Sequence, residues 1–127
     1  MRRDFQLPDN DVRALDALGL TWDAVRDGAA RYVIVRSHPV PEGYTATEVD
    51  VAYRVDAYPP GPLDMAYIRP ALARTDGKVI NNLSQITIEG RTYQQWSRHY
   101  PFQSGVDTLC SHMRRFRSWL SHEFRKR

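Results

Sequence analysis

Between Leu7 and Leu20 the chain reads LPDNDVRALDALGL, with Val12, Leu15 and Leu18 recurring three apart among charged positions. Pro8 and the Asp and Asn residues after it suit an N-terminal turn and Gly19 a C-cap, so the spacing predicts a short amphipathic helix. The period then changes. RYVIVRS, residues 31–37, is a β-branched run bounded by Gly28 and Pro39 and reads as a strand. EVDVAYRVDAY, residues 48–58, alternates Val49, Val51, Tyr53 and Val55 with Asp50, Arg54 and Asp56, as a half-buried strand does. YPPGP, residues 58–62, cannot donate ladder hydrogen bonds at its prolines and predicts an ordered loop, after which DMAYIRP gives a third strand ended by Pro70. TDGK marks a turn. QITIEGRTYQQW alternates Ile86 and Ile88 before Glu89 and Gly90, a tight turn into one more short strand holding Tyr93. Short connections make the pairing antiparallel, so a meander of about four strands is expected. From Ser104 the period is helical. Val106, Leu109, Cys110, Met113, Phe116, Leu120 and Phe124 fall on one stripe, with Ser104 as N-cap and Asp107 in the first turn. N-terminal helix, four-stranded antiparallel meander and C-terminal helix make an α+β fold.

A chain of 127 residues suits a single domain that buries about two-thirds of its unfolded surface. Its 42% hydrophobic and 26% charged residues argue against wholesale disorder. One Cys makes no internal disulfide, MRRDFQLPDND has no apolar leader segment, and the apolar runs are too short to span a bilayer, so a cytoplasmic protein away from the membrane is expected. Net charge is +3, with seven Arg or Lys from Arg98 onward against Asp107 and Glu123. MRRFRSWLSHEFRKR reads as the solvated face of a helix with a basic tail at 124–127. No interleaved aromatic and basic motif argues for nucleic acid. His38, His99, His112 and His122 are scattered and the Gly residues lack phosphate-loop spacing, so neither a metal nor another cofactor is expected.

Candidate chemistry concentrates in QQWSRHYPFQSGVDTLC, residues 94–110. Cys110 lies four after Val106 and three before Met113, inside the apolar stripe, where a thiol has little thiolate character; a place near the helix N-terminus argues the other way. Ser97 and His99 are two apart. On an extended backbone both side chains share one face, with Trp96 and Arg98 on the other, and a Ser beside a His is a route to a covalent intermediate. Trp96, Tyr100 and Phe102 read as packing of the segment onto the fold, and Arg98 as a clamp for a carboxylate or as a solvated cation. His38, before Pro39, is a weaker candidate.

The blocks LPxxD, PxGY, YPxxxxDM and WSRH followed by GVD, in that order over roughly residues 7–123, resemble the prokaryotic E2 family E, bacterial relatives of ubiquitin-conjugating enzymes. The resemblance implies the E2 fold and an E2-like carrier. Such a carrier accepts an activated ubiquitin-like C-terminus from an E1-like enzyme and passes it to an acceptor. A ubiquitin-like or multi-ubiquitin protein and a JAB-type peptidase are the expected companions. YPPGP looks like the Tyr-Pro-x-x-Pro loop of ordinary E2 enzymes and puts Tyr58 on the active-site side. IRPALARTDGKVINNLSQ, however, has neither the His-Pro-Asn motif nor the Cys that ordinary E2 enzymes carry there, and Cys110 comes later, in the final helix. The resemblance therefore leaves three mechanisms open. Ser97 takes an oxyester with His99 as base, Asp107 as its orienter and Asn81 and Asn82 at the oxyanion; or Cys110 takes a displaced thioester; or the fold is an inert binding module, with Trp96, Arg98 and Tyr58 among its contact residues.

Overall fold

In the computed structural model, residues 2–125 are described; Met1 and, from the basic tail, Lys126 and Arg127 lie outside the described residues. Helix α1 spans Asp9–Ala17, and Gly19 follows at φ +71°, the left-handed conformation that ends a helix at little cost to glycine. Six strands follow: β1 Trp22–Asp27, β2 Ala30–Pro39, β3 Glu48–Arg54, β4 Ala66–Arg69, β5 Leu83–Ile88 and β6 Arg91–Trp96. Helix α2, Leu109–His122, runs into a 3-10 turn at Glu123–Arg125.

All neighbours pair antiparallel in the order β1-β2-β3-β4-β6-β5, so the sheet has six strands where about four were expected. The added strand is β1, WDAVRD, whose Asp23, Arg26 and Asp27 dilute the β-branched signal. What holds it in the sheet is full register with β2, from Trp22 opposite Val35 to Asp27 opposite Ala30. The segment after TDGK folds as the expected hairpin, with β6 a full six-residue strand: Ile88 pairs with Arg91 across Glu89 and Gly90. Both turn residues have positive φ, as a type I′ turn requires.

The sheet buries both faces. Ala24, Val33, Val35, Val51, Tyr53, Ile68 and Trp96 meet Leu15 of α1 and Leu109, Met113, Phe116 and Leu120 of α2 in the main core. On the opposite face Val25, Tyr32, Ile34, Ala52, Tyr67, Ile88 and Tyr93 form a second cluster that contains no residue of either helix. Tyr32 and Tyr67 meet edge to face there, with ring centres 6.0 Å apart.

The C-terminal helix begins later than its apolar spacing predicts. Thr108, not Ser104, is the N-cap, its side chain accepting from the Ser111 amide while the Ser111 hydroxyl accepts from the Thr108 amide. Ser104 instead donates its hydroxyl to the Pro60 carbonyl, and Gly105 turns the chain at φ +84°. Val106 consequently stands before the helix and is 72% exposed. The buried face of α2 is Leu109, His112, Met113, Phe116 and Leu120, and Cys110, on its flank, is half-buried rather than enclosed in the stripe.

Candidate functional site

Strand geometry continues past the end of β6. The Ser97 amide donates to the Asn82 carbonyl (3.0 Å), and the Arg98 carbonyl accepts from the Met65 amide (3.0 Å), so residues 97 and 98 are held between two neighbouring segments. Alternation then divides their side chains. Trp96 is fully buried in the main core, and Arg98 stacks over its ring at 5.1 Å while reaching the buried Glu123 carboxylate at 3.1 Å. Gln95 and Ser97 fall on the other side, where the Gln95 amide donates to the Ser97 hydroxyl at 3.2 Å.

His99, one step further along, is an exposed imidazole, 66% accessible, and its Nδ1–H donates to Asp64 at 3.0 Å. A carboxylate only accepts, so the neutral ring carries its proton on Nδ1. Nε2 keeps its lone pair and has no partner among the described residues. Ser97 and His99 share no hydrogen bond with each other. Asp64 belongs to the loop between β3 and β4, which also contains YPPGP; a Cβ at Gly61 would overlap the Ala57 carbonyl, so this bend admits only glycine. Nothing in sequence spacing pairs positions 64 and 99.

Tyr58 sits at the base of that loop. Its hydroxyl donates to the buried Asp11 carboxylate at 2.7 Å and accepts from the Leu109 amide at 3.1 Å, tying α1, the loop and the first turn of α2 together. Burial pushes the Asp11 carboxyl above the usual carboxylate range and the Tyr58 phenol upward as well. A cleft of about 250 Å³ opens beside it, lined by Pro8, Tyr58, Pro59, Phe102, Asp107 and Thr108 among others.

Asp107 accepts from the Gln103 amide (2.9 Å), the Ser111 hydroxyl (3.1 Å) and the Arg115 guanidinium (3.2 Å), and the Gln103 bond, first among these, holds its carboxyl low. It therefore braces the loop before α2, whereas the carboxylate beside His99 is that of Asp64. Asn81 and Asn82 are exposed on the β4–β5 connection. Asn82 accepts from Ser97 through its carbonyl and Asn81 from the Arg98 guanidinium, which places both beside the 97–99 segment. Cys110 occupies the second position of α2, half-buried in the helix layer, while Ser97 lies just past the end of β6 with its hydroxyl on Gln95.

Two further residues join this region. His112, completely buried, donates from Nε2 to the Met65 carbonyl at 2.8 Å, and its Nδ1 accepts from the Tyr100 hydroxyl at 2.7 Å. Burial depresses the His112 pKa and raises that of Tyr100 to about 12. The available sequence signal was a histidine three residues after Leu109 and four before Phe116, at a core position of the stripe. Among the described residues no three His, Cys, Asp or Glu side chains converge as metal ligands would, and no helix is long and apolar enough to cross a membrane.

The molecule thus combines a two-helix, six-stranded antiparallel α+β fold with a proline-stiffened loop beside an exposed Asp–His pair. The chain belongs to prokaryotic E2 family E, whose family model matches residues 7–123. Membership carries an E2-like role in ubiquitin-like protein conjugation, with transferase-like character. No curated protein and no solved structure matches the chain.

Proposed function

We propose that the protein is a carrier in a bacterial, cytoplasmic ubiquitin-like conjugation pathway: it receives an activated ubiquitin-like C-terminus from an E1-like enzyme on Ser97 and passes it to an acceptor amine. The exposed Asp64–His99 pair carries this reading, because it offers an oriented base with an unpartnered Nε2 next to a hydroxyl on the same extended segment. In loading, Nε2 takes the hydroxyl proton as Oγ bonds to the activated carbonyl and passes it to the departing E1 leaving group. In transfer the amine bonds to the same carbon, Nε2 takes the proton the amine loses, the ester C–O bond breaks, and that proton passes to Oγ. In this reading a side-chain amide of Asn81 or Asn82, both exposed, stabilises the oxyanion, while the buried Trp96 and Tyr58 and the half-buried Arg98 contribute packing rather than a contact surface. A ubiquitin-like or multi-ubiquitin protein is the cargo, and a JAB-type peptidase acts in the same pathway.

The second reading is an inert binding module, favoured by the Ser97 hydroxyl being bonded to Gln95 and not to His99. Incubation with the E1-like enzyme, the ubiquitin-like protein and ATP, followed by intact mass, separates the readings. An adduct that survives thiol reductant and disappears in Ser97→Ala is expected. One that reductant cleaves and Cys110→Ala abolishes moves the site to the α2 thiol. No adduct with a competent E1 leaves the binding module.

A further inference from the structure

We infer that His112 and Tyr100 are positioning residues for the Asp64–His99 pair: one buried imidazole on α2 holds in register the two chain segments that carry it. The inference rests on His99 being the acid/base group. Asp64 precedes Met65, whose carbonyl accepts from His112 Nε2, and His99 precedes Tyr100, whose hydroxyl donates to His112 Nδ1. Each member of the exposed pair is thus one residue from a group gripped by the same ring. The two segments are also joined directly, by the Met65 amide on the Arg98 carbonyl at 3.0 Å. Arg98 adds a second tie to the helix layer through Glu123.

The chemistry of the core supports the assignment. A buried imidazole surrounded by Tyr53, Tyr100 and Trp119 rings is costlier to bury than a leucine unless both nitrogens are paired. Here both are paired, and both partners lie on the segments that lead to the site. Tyr100 is further sandwiched, stacked on His112 at 29° between planes and covered by the Arg115 guanidinium at 4.0 Å. Met65 lies in the left-handed region at φ +56°, a conformation unusual for a side-chain-bearing residue and one that the two hydrogen bonds at its amide and carbonyl hold in place. The exposed Asp64 and His99 side chains have little packing of their own, so their geometry depends on this brace.

The decisive readout is the ring-nitrogen NMR spectrum of His99 in the full chain near neutral pH, assigned by its loss in His99→Gln. The wild-type ring is expected as the Nδ1–H tautomer, and Asp64→Ala supplies the signature of an unpaired ring. Tyr100→Phe, which deletes one hydroxyl, is expected to move the His99 nitrogens at least half of the way to the Asp64→Ala values and to slow amine transfer about tenfold, a fraction of what an acid/base group contributes. His112→Leu is expected to do the same, and His112→Gln, which restores a donor and an acceptor, to return the signals toward wild type. Wild-type His99 signals in a folded Tyr100→Phe protein overturn the inference, whether or not His112→Leu folds. Displaced signals in a system where His99→Gln still transfers at the wild-type rate uphold the positioning role and overturn the acid/base reading instead.

Discussion

Tyr58 and Tyr53 both bury a phenol in the main core, at 7% and 1% exposure, yet their hydroxyls are placed differently. Tyr58 bridges the Asp11 carboxylate and the Leu109 amide, whereas the Tyr53 hydroxyl has no hydrogen-bond partner. Deleting a hydroxyl is costly where it leaves other buried groups unpaired and not where it was itself unpaired. Tyr58→Phe removes the hydroxyl that bridges a buried carboxylate and a helix N-terminal N–H, and is expected to lower stability by about 1–3 kcal/mol. Tyr53→Phe removes a desolvated group, and is expected to be neutral or to stabilise by about 1 kcal/mol. Urea denaturation of the two variants checks both signs. This distinction could not be read from sequence, since Tyr53 on β3 and Tyr58 in the loop after it belong to one run of apolar and aromatic residues, and the partners of Tyr58 lie 47 and 51 positions away. Arg98 is a similar case. Its residue type left a carboxylate clamp and a solvated cation equally open, and only the fold decides for the clamp and identifies the carboxylate as Glu123.

At the scale of elements, the start of α2 matters most, because the loop before it lines the cleft beside Tyr58 and the segment before that carries His99. Thr108 and Ser111 cap the helix reciprocally, and Asp107 joins Gln103, Ser111 and Arg115. Thr108→Ala is expected to cost about 1 kcal/mol, the ordinary worth of such a cap, measured by chemical denaturation. Asp107→Ala is expected to raise amide exchange across residues 103–111 while leaving the His99 ring signals in place, because Asp64 and not Asp107 contacts that ring. Displaced His99 signals in Asp107→Ala would return Asp107 to the pair. The apolar period found α2 and its core face, Leu109 to Leu120, but set the start early: Ser104 is a good capping residue, Val106 fits the stripe, and Thr108-x-x-Ser111 lacks the Glu or Gln of the usual capping box. β1 escaped for the converse reason. Its alternation is broken by charges that face salt-bridge partners, Asp23 with Arg36 among them, so pairing with β2 rather than intrinsic preference makes it a strand. The Glu89–Gly90 turn, α1 and the strand character of 31–37 were legible because each is specified locally.

On the scale of the whole molecule, α2 lies against the sheet with a buried histidine on each side of Phe116: His112 on the helix itself and His38 on β2, edge to face with Phe116 at 5.5 Å. The His38 Nδ1–H donates to the Pro39 carbonyl and His112 is paired at both nitrogens, so the folded state has hydrogen bonds for the neutral rings. Burial lowers both pKa values. Arg117 adds to this for His38, while at His112 the Met65 bond and Asp64 oppose it, Arg115 reinforces it and Asp107 opposes it. The sign follows from linkage. Above the unfolded histidine pKa, about 6.5, neither state is protonated and stability is at its full value. As pH falls below it the unfolded chain takes up protons that the fold refuses, and stability declines until the depressed folded pKa values are reached. Two such groups set a limiting slope of about 2.7 kcal/mol per pH unit, and one sets about half of it. Urea denaturation between pH 7.5 and 5 is expected to show that decline in the wild type, with the slope about halved in His38→Gln and again in His112→Gln, whatever each costs at pH 7.5. A wild-type stability flat down to pH 5 would mean that the two rings protonate in place. Protonation of His112 within the fold comes only below its depressed pKa, where the decline in stability levels off; it would turn Nδ1 from acceptor into donor and disturb the bond with the Tyr100 hydroxyl, so loss of amine transfer from this cause is expected at lower pH than the onset of the stability decline.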